Sequence, residues 1–284
     1  MNRLITTTII LSLVLFSCKS NTQKNSLETM HLNGKIKSIK EYSYLANEKF
    51  GLIHKGERKR EYSWEYDLVY IFNKCGSKIE ERNIYLNDDT QSKRIFTFDN
   101  NEMLIESNYY DSKNNLISKT KMKNDDKGNE IELNDYNSYG ELNTKWLYKY
   151  DSRDNQIEGN NYSSDGNLSS RWTYNYDSNG NKIETNCFDS NGNISFKWAT
   201  LYDKKGNAIE CKYLNSIGTI TSKWTMEYDE NNNKTVYNYN DFENNTAENR
   251  TYKYDYDKTN NWTGQIIFKN GIPLFTIERE IEYY

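Results

Sequence analysis

An all-β fold, built as a long antiparallel meander of β-hairpin repeats, is what three features of this 284-residue chain predict. They are a 26-residue period, two turn signals inside each period, and two-residue alternation between the turns. The period comes first, because internal repeats decide how every other pattern is read. Tyr150-Asp151, Tyr176-Asp177, Tyr202-Asp203 and Tyr228-Asp229 recur at a constant step, and the phase extends forwards to Tyr254-Asp255 and backwards to Asn124-Asp125, Phe98-Asp99 and Phe72-Asn73. Trp146, Trp172, Trp198 and Trp224 keep the same step, as do Ile79, Ile105, Ile131, Ile157, Ile183 and Ile209, each followed by glutamate. Independent columns in one register exclude chance.

Each unit carries two turn signals, as in Asp177-Ser178-Asn179-Gly180 and Asp189-Ser190-Asn191-Gly192. Asp, Asn or Ser at the first position with glycine at the fourth fits a type I turn, because the first side chain bonds backbone amides. The residue before glycine varies among Asn179, Lys205, Ile217 and Tyr139. Isoleucine and tyrosine disfavour positive φ, so the pattern predicts a type I turn with a left-handed glycine bulge, not a two-residue hairpin turn.

Between turns the polarity alternates. Leu168, Ser170, Trp172, Tyr174 and Tyr176 share one face, and Ser169, Arg171, Thr173 and Asn175 take the other. Ile194, Phe196, Trp198, Thr200 and Tyr202 repeat the first set, whereas the partner segment from Ile183 to Phe188 is more polar. The expected sheet has about 16 or more strands and would be ~80 Å wide if flat. Sheets of that size curl, so a curled or superhelical single sheet with the aromatic face inside is expected. A parallel solenoid fits poorly, because both turns have hairpin chemistry.

The ends depart from the repeat, which spans about residues 66–260 of a domain running from 31 to 284. Residues 34–44 read as first strands, and residues 50–60 form a basic, glycine-containing insertion that could meet a partner. Pro273, the single proline, and the charged segment Glu278 to Tyr284 read as a cap that blunts edge pairing.

Met1-Asn2-Arg3 precedes an apolar run from Leu4 to Phe16, and Ser17-Cys18 follows. This has the order of a secretory signal, and the run is too short to span a bilayer as a helix. The small residue followed by cysteine resembles the lipobox of bacterial lipoproteins. That resemblance implies a signal peptide over residues 1–17, acylation of Cys18 and a tether over residues 18–30. Two acyl chains anchor firmly where one does not. No aspartate and no acidic stretch follows Cys18, so the expected location is the outer membrane, with a periplasmic orientation slightly preferred to the surface.

Composition bounds the function. Hydrophobic residues make up 35% of the chain and mean hydropathy is −1.01, yet 25 tyrosines, 6 tryptophans and 10 phenylalanines argue against disorder. A net charge of −4 without a basic block excludes nucleic acid as an expected partner. Cys75, Cys187 and Cys211 are an odd set with no metal-ligand spacing, and only His31 and His54 accompany them. No metal or cofactor is expected, and the three thiols read as buried in strands.

The runs Tyr176-Asp177-Ser178-Asn179-Gly180-Asn181 and Tyr202-Asp203-Lys204-Lys205-Gly206-Asn207 resemble the core of RHS/YD-repeat proteins. The unit is longer than the usual YD repeat, the array is shorter than the toxin-enclosing shells, and no toxin module follows. The ending from Asn261-Trp262-Thr263-Gly264 resembles the close of repeat lipoproteins of Bacteroidetes-type bacteria, which implies location rather than activity.

The candidate ligand site is the tryptophan column with the cation before each ring: Trp146 with Lys145, Trp172 with Arg171, Trp198 with Lys197 and Trp224 with Lys223. Flat rings stack on sugars and cations bond hydroxyls; the same rings could equally fill the curled sheet. Glu132, Glu158, Glu184 and Glu210 recur in every unit, and a recurring charge reads as a solvated row rather than a catalytic site. No nucleophile–base set is visible, so the chain is expected not to be an enzyme. The expectation is a monomeric, non-enzymatic envelope module that binds glycan or protein. A partner in contact-dependent competition and a glycan-active enzyme are the alternatives.

Overall fold

The computed structural model describes residues 25–60 and 67–284. The signal peptide, Cys18 and most of the tether lie outside the described residues.

The repeat chemistry acts first at the turns. Asp177 donates its N–H to the Asn181 carbonyl at 2.9 Å and accepts the Gly180 N–H on its own carbonyl at 3.2 Å. Its Oδ1 accepts the amides of Asn179 and Asn181, each at 2.9 Å, and Gly180 has φ +83°. This is the type I turn with a left-handed bulge residue. Asp189 to Asn193 repeats it at the other end of the strand. Where glycine is missing, Asp154 and Asn232 take the left-handed position, as short polar side chains can.

The tyrosine of the pair works backwards. Tyr176 Oη donates to the Gln156 carbonyl at 2.8 Å, beside the bulge that interrupts pairing at Gln156–Glu158. Tyr150, Tyr202, Tyr228 and Tyr254 make the same bond to the residue 20 positions earlier. Each unit thus satisfies a carbonyl that the ladder of the previous unit leaves free.

Strands β1 (Ile36–Lys49) and β2 (Leu52–Arg58) form a hairpin through Phe50-Gly51. β3 (Asp67–Phe72) follows, β4 to β18 run through residues 78–269, and β19 (Ile272–Tyr283) ends the chain. β19 pairs antiparallel with β1, and the first half of β1 pairs with β3, so the sheet closes as an 18-stranded barrel. β2 pairs only with the second half of β1. Where β1 changes partner, the buried Asp67 accepts the Ser43 N–H and binds the guanidinium groups of Arg58 and Arg60. A buried carboxylate needs such pairing.

Each hairpin slips the ladder in one direction. Thr173 pairs with Asn186 and Asn186 with Lys197, two residues short of the equivalent Ala199. With right-handed strand twist, that slip closes the sheet with Trp172, Tyr174 and Tyr176 pointing inward. The rings agree: Trp198 and Trp224 lie on alternate strands, about 9.6 Å apart by strand spacing, yet their centroids are 5.2 Å apart. Side chains converge on a concave wall.

The N-terminal segment lies across the rim that bears the Tyr-Asp turns. Helix α1 (Ser26–Thr29) is fixed by a capping box between Asn25 and Glu28. Leu27 packs with Ile36, Ile39 and Phe72 in a buried cluster. Asn33 and the buried Asn261 exchange two hydrogen bonds of 2.8 Å.

Three expectations change. The sheet is closed, not an open curl, because β19 finds β1. Pro273 and the charged last strand therefore cap no edge; β19 is paired on both sides. Residues 25–30, assigned to the tether, are docked on the rim.

Candidate functional site: the aromatic lumen

Closure turns the aromatic face into the wall of a lumen. Trp146, Trp172, Trp198 and Trp224 project inward and are half-buried. They form one ladder with Phe196, Tyr213 and Tyr239: Trp146–Trp172 at 6.4 Å, Trp172–Phe196 at 5.3 Å, Trp198–Tyr213 at 5.0 Å and Trp224–Tyr239 at 5.3 Å. Tilted and offset rings at these separations attract beyond their buried area.

The structure divides the sequence-derived site. Lys145, Arg171, Lys197 and Lys223 point outward, because consecutive residues of a strand face opposite ways. Lys145 pairs with Glu132 at 3.3 Å, Lys223 with Glu210 at 2.5 Å, and Arg171 lies 4.4 Å from the Phe188 ring. The cations belong with the glutamate row on the exterior and cannot bond a ligand stacked on the tryptophans.

That exterior bears on the surroundings. Lys119–Glu106, Lys149–Glu158 and Lys212–Glu210 pairs continue the charged rows around the wall. A membrane-spanning barrel needs an outward apolar band roughly 25 Å tall, and a lysine or arginine near its middle costs ~2–4 kcal/mol. Ile105, Ile157, Ile183 and Ile209 form an exposed apolar column beside these charged rows.

Polar groups punctuate the lumen. Asp135 accepts the hydroxyls of Thr120 and Thr144 at 2.6 and 3.2 Å. Burial raises the Tyr150 and Tyr176 hydroxyls to about 12, so they stay protonated as donors. Lys78, Lys182 and Lys234, one column that sequence reasoning did not single out, also enter the lumen. Their Nζ atoms lie 4.9 Å from the Tyr70 ring, 4.2 Å from Tyr174 and 5.1 Å from Tyr237. Burial lowers the pKa of Lys182 and Lys234. The column directly precedes the isoleucine column, so the repeat register itself marks it.

Two cavities open on this space. One, of about 560 Å³, lies among Glu130, Trp146, Tyr148, Tyr150, Gln156, Trp172 and Tyr174. The other, of about 680 Å³, sits between the N-terminal segment and the rim turns and includes Trp262 and Arg279. Arg279 lies 3.4 Å over the Trp262 ring and pairs with Glu41 at 2.6 Å.

Cys187 and Cys211 are free strand thiols whose pKa values burial raises, which disfavours thiolate chemistry. Cys75 differs from expectation: it sits in the turn between β3 and β4 and is disulfide-bonded. Among the described residues no group of three or more His, Cys, Asp or Glu could hold a metal ion.

No family model and no curated protein matches the chain. Among solved structures, a porin-like protein from Bacteroides uniformis aligns over 88% of this chain and 99% of its own, with 10% identity and a TM-score of 0.46. A porin-like protein from Bacteroides vulgatus gives the same coverage, 12% identity and a TM-score of 0.32. A chain of the TcdB2–TccC3–Cdc42 structure aligns over 86% of this chain and 17% of its own, with 10% identity and a TM-score of 0.26.

Proposed function

We propose that this chain is a non-enzymatic binding module of the bacterial cell envelope, tethered by acyl chains on Cys18, facing the periplasm, and holding a glycan in its lumen. The observation that supports this is the combination of a lumen walled by an aromatic ladder with an exterior of paired charges. Aromatic rings interspersed with hydroxyl and amide groups suit a sugar, whose C–H face packs on a ring while its hydroxyls take hydrogen bonds. The charged exterior suits a barrel standing in water on a lipid tether.

The test has two arms. Palmitate labelling should mark the wild type and be lost in Cys18→Ser, with the protein released to the soluble envelope fraction. A glycan array probed with the mature protein should give signals that fall at least tenfold for Trp198→Ala. An unlabelled wild type removes the anchor, and an empty array removes the glycan.

A further inference from the structure

The lysine column contains one inversion of charge. In successive units this position carries Lys78, Leu104, Glu130, Gln156, Lys182, Ala208 and Lys234, each before an isoleucine except the last, which Thr235 follows. Each lysine is an ammonium built onto a lumen ring, Lys182 closest at 4.2 Å from the Tyr174 centroid. A ring face offsets part of the desolvation of such an ammonium. Glu130 occupies the equivalent place with the opposite charge. Its carboxyl is pushed up by burial and then by Asp135, and no side chain among the described residues pairs with it.

Glu130 lines an open space. The 560 Å³ cavity has the Trp146, Tyr148, Trp172 and Tyr174 rings as walls and the neutral Gln156 as its neighbour in the column. Behind two of those rings, Tyr148 and Tyr174, lies Gly159 in β10. A Cβ there would lie 3.2 Å from the Tyr148 ring and 3.5 Å from the Tyr174 hydroxyl. The same position carries Ser107, Leu133, Thr185 and Cys211 in other units. At Gly159 the Tyr148 ring can lie close against the strand, and the unpaired carboxylate of Glu130 and the ring walls meet where two successive units adjoin.

We infer that this cavity is a binding site for a small organic ammonium ion, which would supply the charge that Lys182 supplies two units further on. The ion would sit against the Tyr148 and Tyr174 rings with its charge on Glu130. Aromatic walls with one carboxylate recognise both quaternary and primary ammonium groups, so size and hydrogen bonding decide between them. The inference adds a charge preference to the lumen-binding reading, and the two are separable by experiment.

The assay is tryptophan fluorescence of the mature full-length protein titrated with choline, with ethanolamine, and with myo-inositol as a neutral control. Choline or ethanolamine should give a saturable change, and inositol none. Whichever cation binds identifies the quaternary or the primary class. Glu130→Gln should weaken binding tenfold or more. Glu130→Lys should abolish it while leaving the melting temperature within a few degrees, because Lys182 already occupies that place in the same fold. Lys212→Ala, on the exterior of the barrel, should bind as the wild type does. No response to either cation, or full binding by Glu130→Lys, overturns the inference. A positive glycan array with no cation response would overturn this site and leave the glycan reading standing.

Discussion

At the residue scale, the Tyr-Asp pair has two separate tasks. The tyrosine ties its unit to the previous one, so Tyr176→Phe removes one hydrogen bond to the Gln156 carbonyl. The expected loss is about 1 kcal/mol in denaturant unfolding, with the barrel otherwise unchanged in circular dichroism. The aspartate organises the turn. Asp151, Asp177 and Asp203 are held below the ordinary carboxylate pKa, first by the side-chain amide of the asparagine four residues on and then by its backbone N–H. A depressed folded pKa stabilises above the unfolded value, near 3.9, and that stabilisation is lost as pH falls through the folded values. Stability should therefore be level from neutrality to about pH 5 and fall below about pH 4. Asp177→Asn, which keeps an acceptor but cannot titrate, should make the acid slope shallower.

At the element scale, the hairpin loop selects residues by backbone conformation. Gly192 has φ +85° and open space around a built Cβ, so any cost of replacing it is conformational. Gly192→Val should cost about 1–2 kcal/mol in thermal or chemical melts. Gly192→Asn should cost far less, since Asn232 already holds the same conformation at φ 64°. Equal losses in the two variants would mean that side-chain packing, not backbone strain, sets the requirement. The strand faces follow the same local logic, and they explain why the tryptophans and their preceding cations part company.

At the scale of the whole molecule, closure depends on one long-range pairing. Ile39 faces Ile281 and Glu41 faces Arg279, joining the two ends of the chain. Truncation after Asn270 removes β19 and leaves β18 and one side of β1 as open edges. Such edges recruit other chains, so the truncated protein should elute as oligomers in size-exclusion chromatography where the full chain elutes as a monomer. The thiols add a check on the rim. Alkylation under denaturing, non-reducing conditions should label Cys187 and Cys211 and spare Cys75, which is disulfide-bonded. Labelled Cys75 would mean that its disulfide is open in the isolated protein.

Contacts between neighbours within a few residues set the 26-residue unit, both turn types, the strand limits and the aromatic and polar faces, and these could be read from the chain alone. Asp177 to Gly180 specifies its turn wherever it stands, and alternation from Leu168 to Tyr176 specifies two faces. The split of Lys145 from Trp146 was also legible there, since consecutive residues of a strand face opposite ways. The Glu130 inversion was legible as a column but gained meaning only from Gly159, Tyr148 and Tyr174, which lie on other strands. Closure was decided by the tertiary structure alone. Ile39 and Ile281 carry no repeat signature, and their meeting depends on twist and slip summed over 18 strands, a quantity that no single repeat contains.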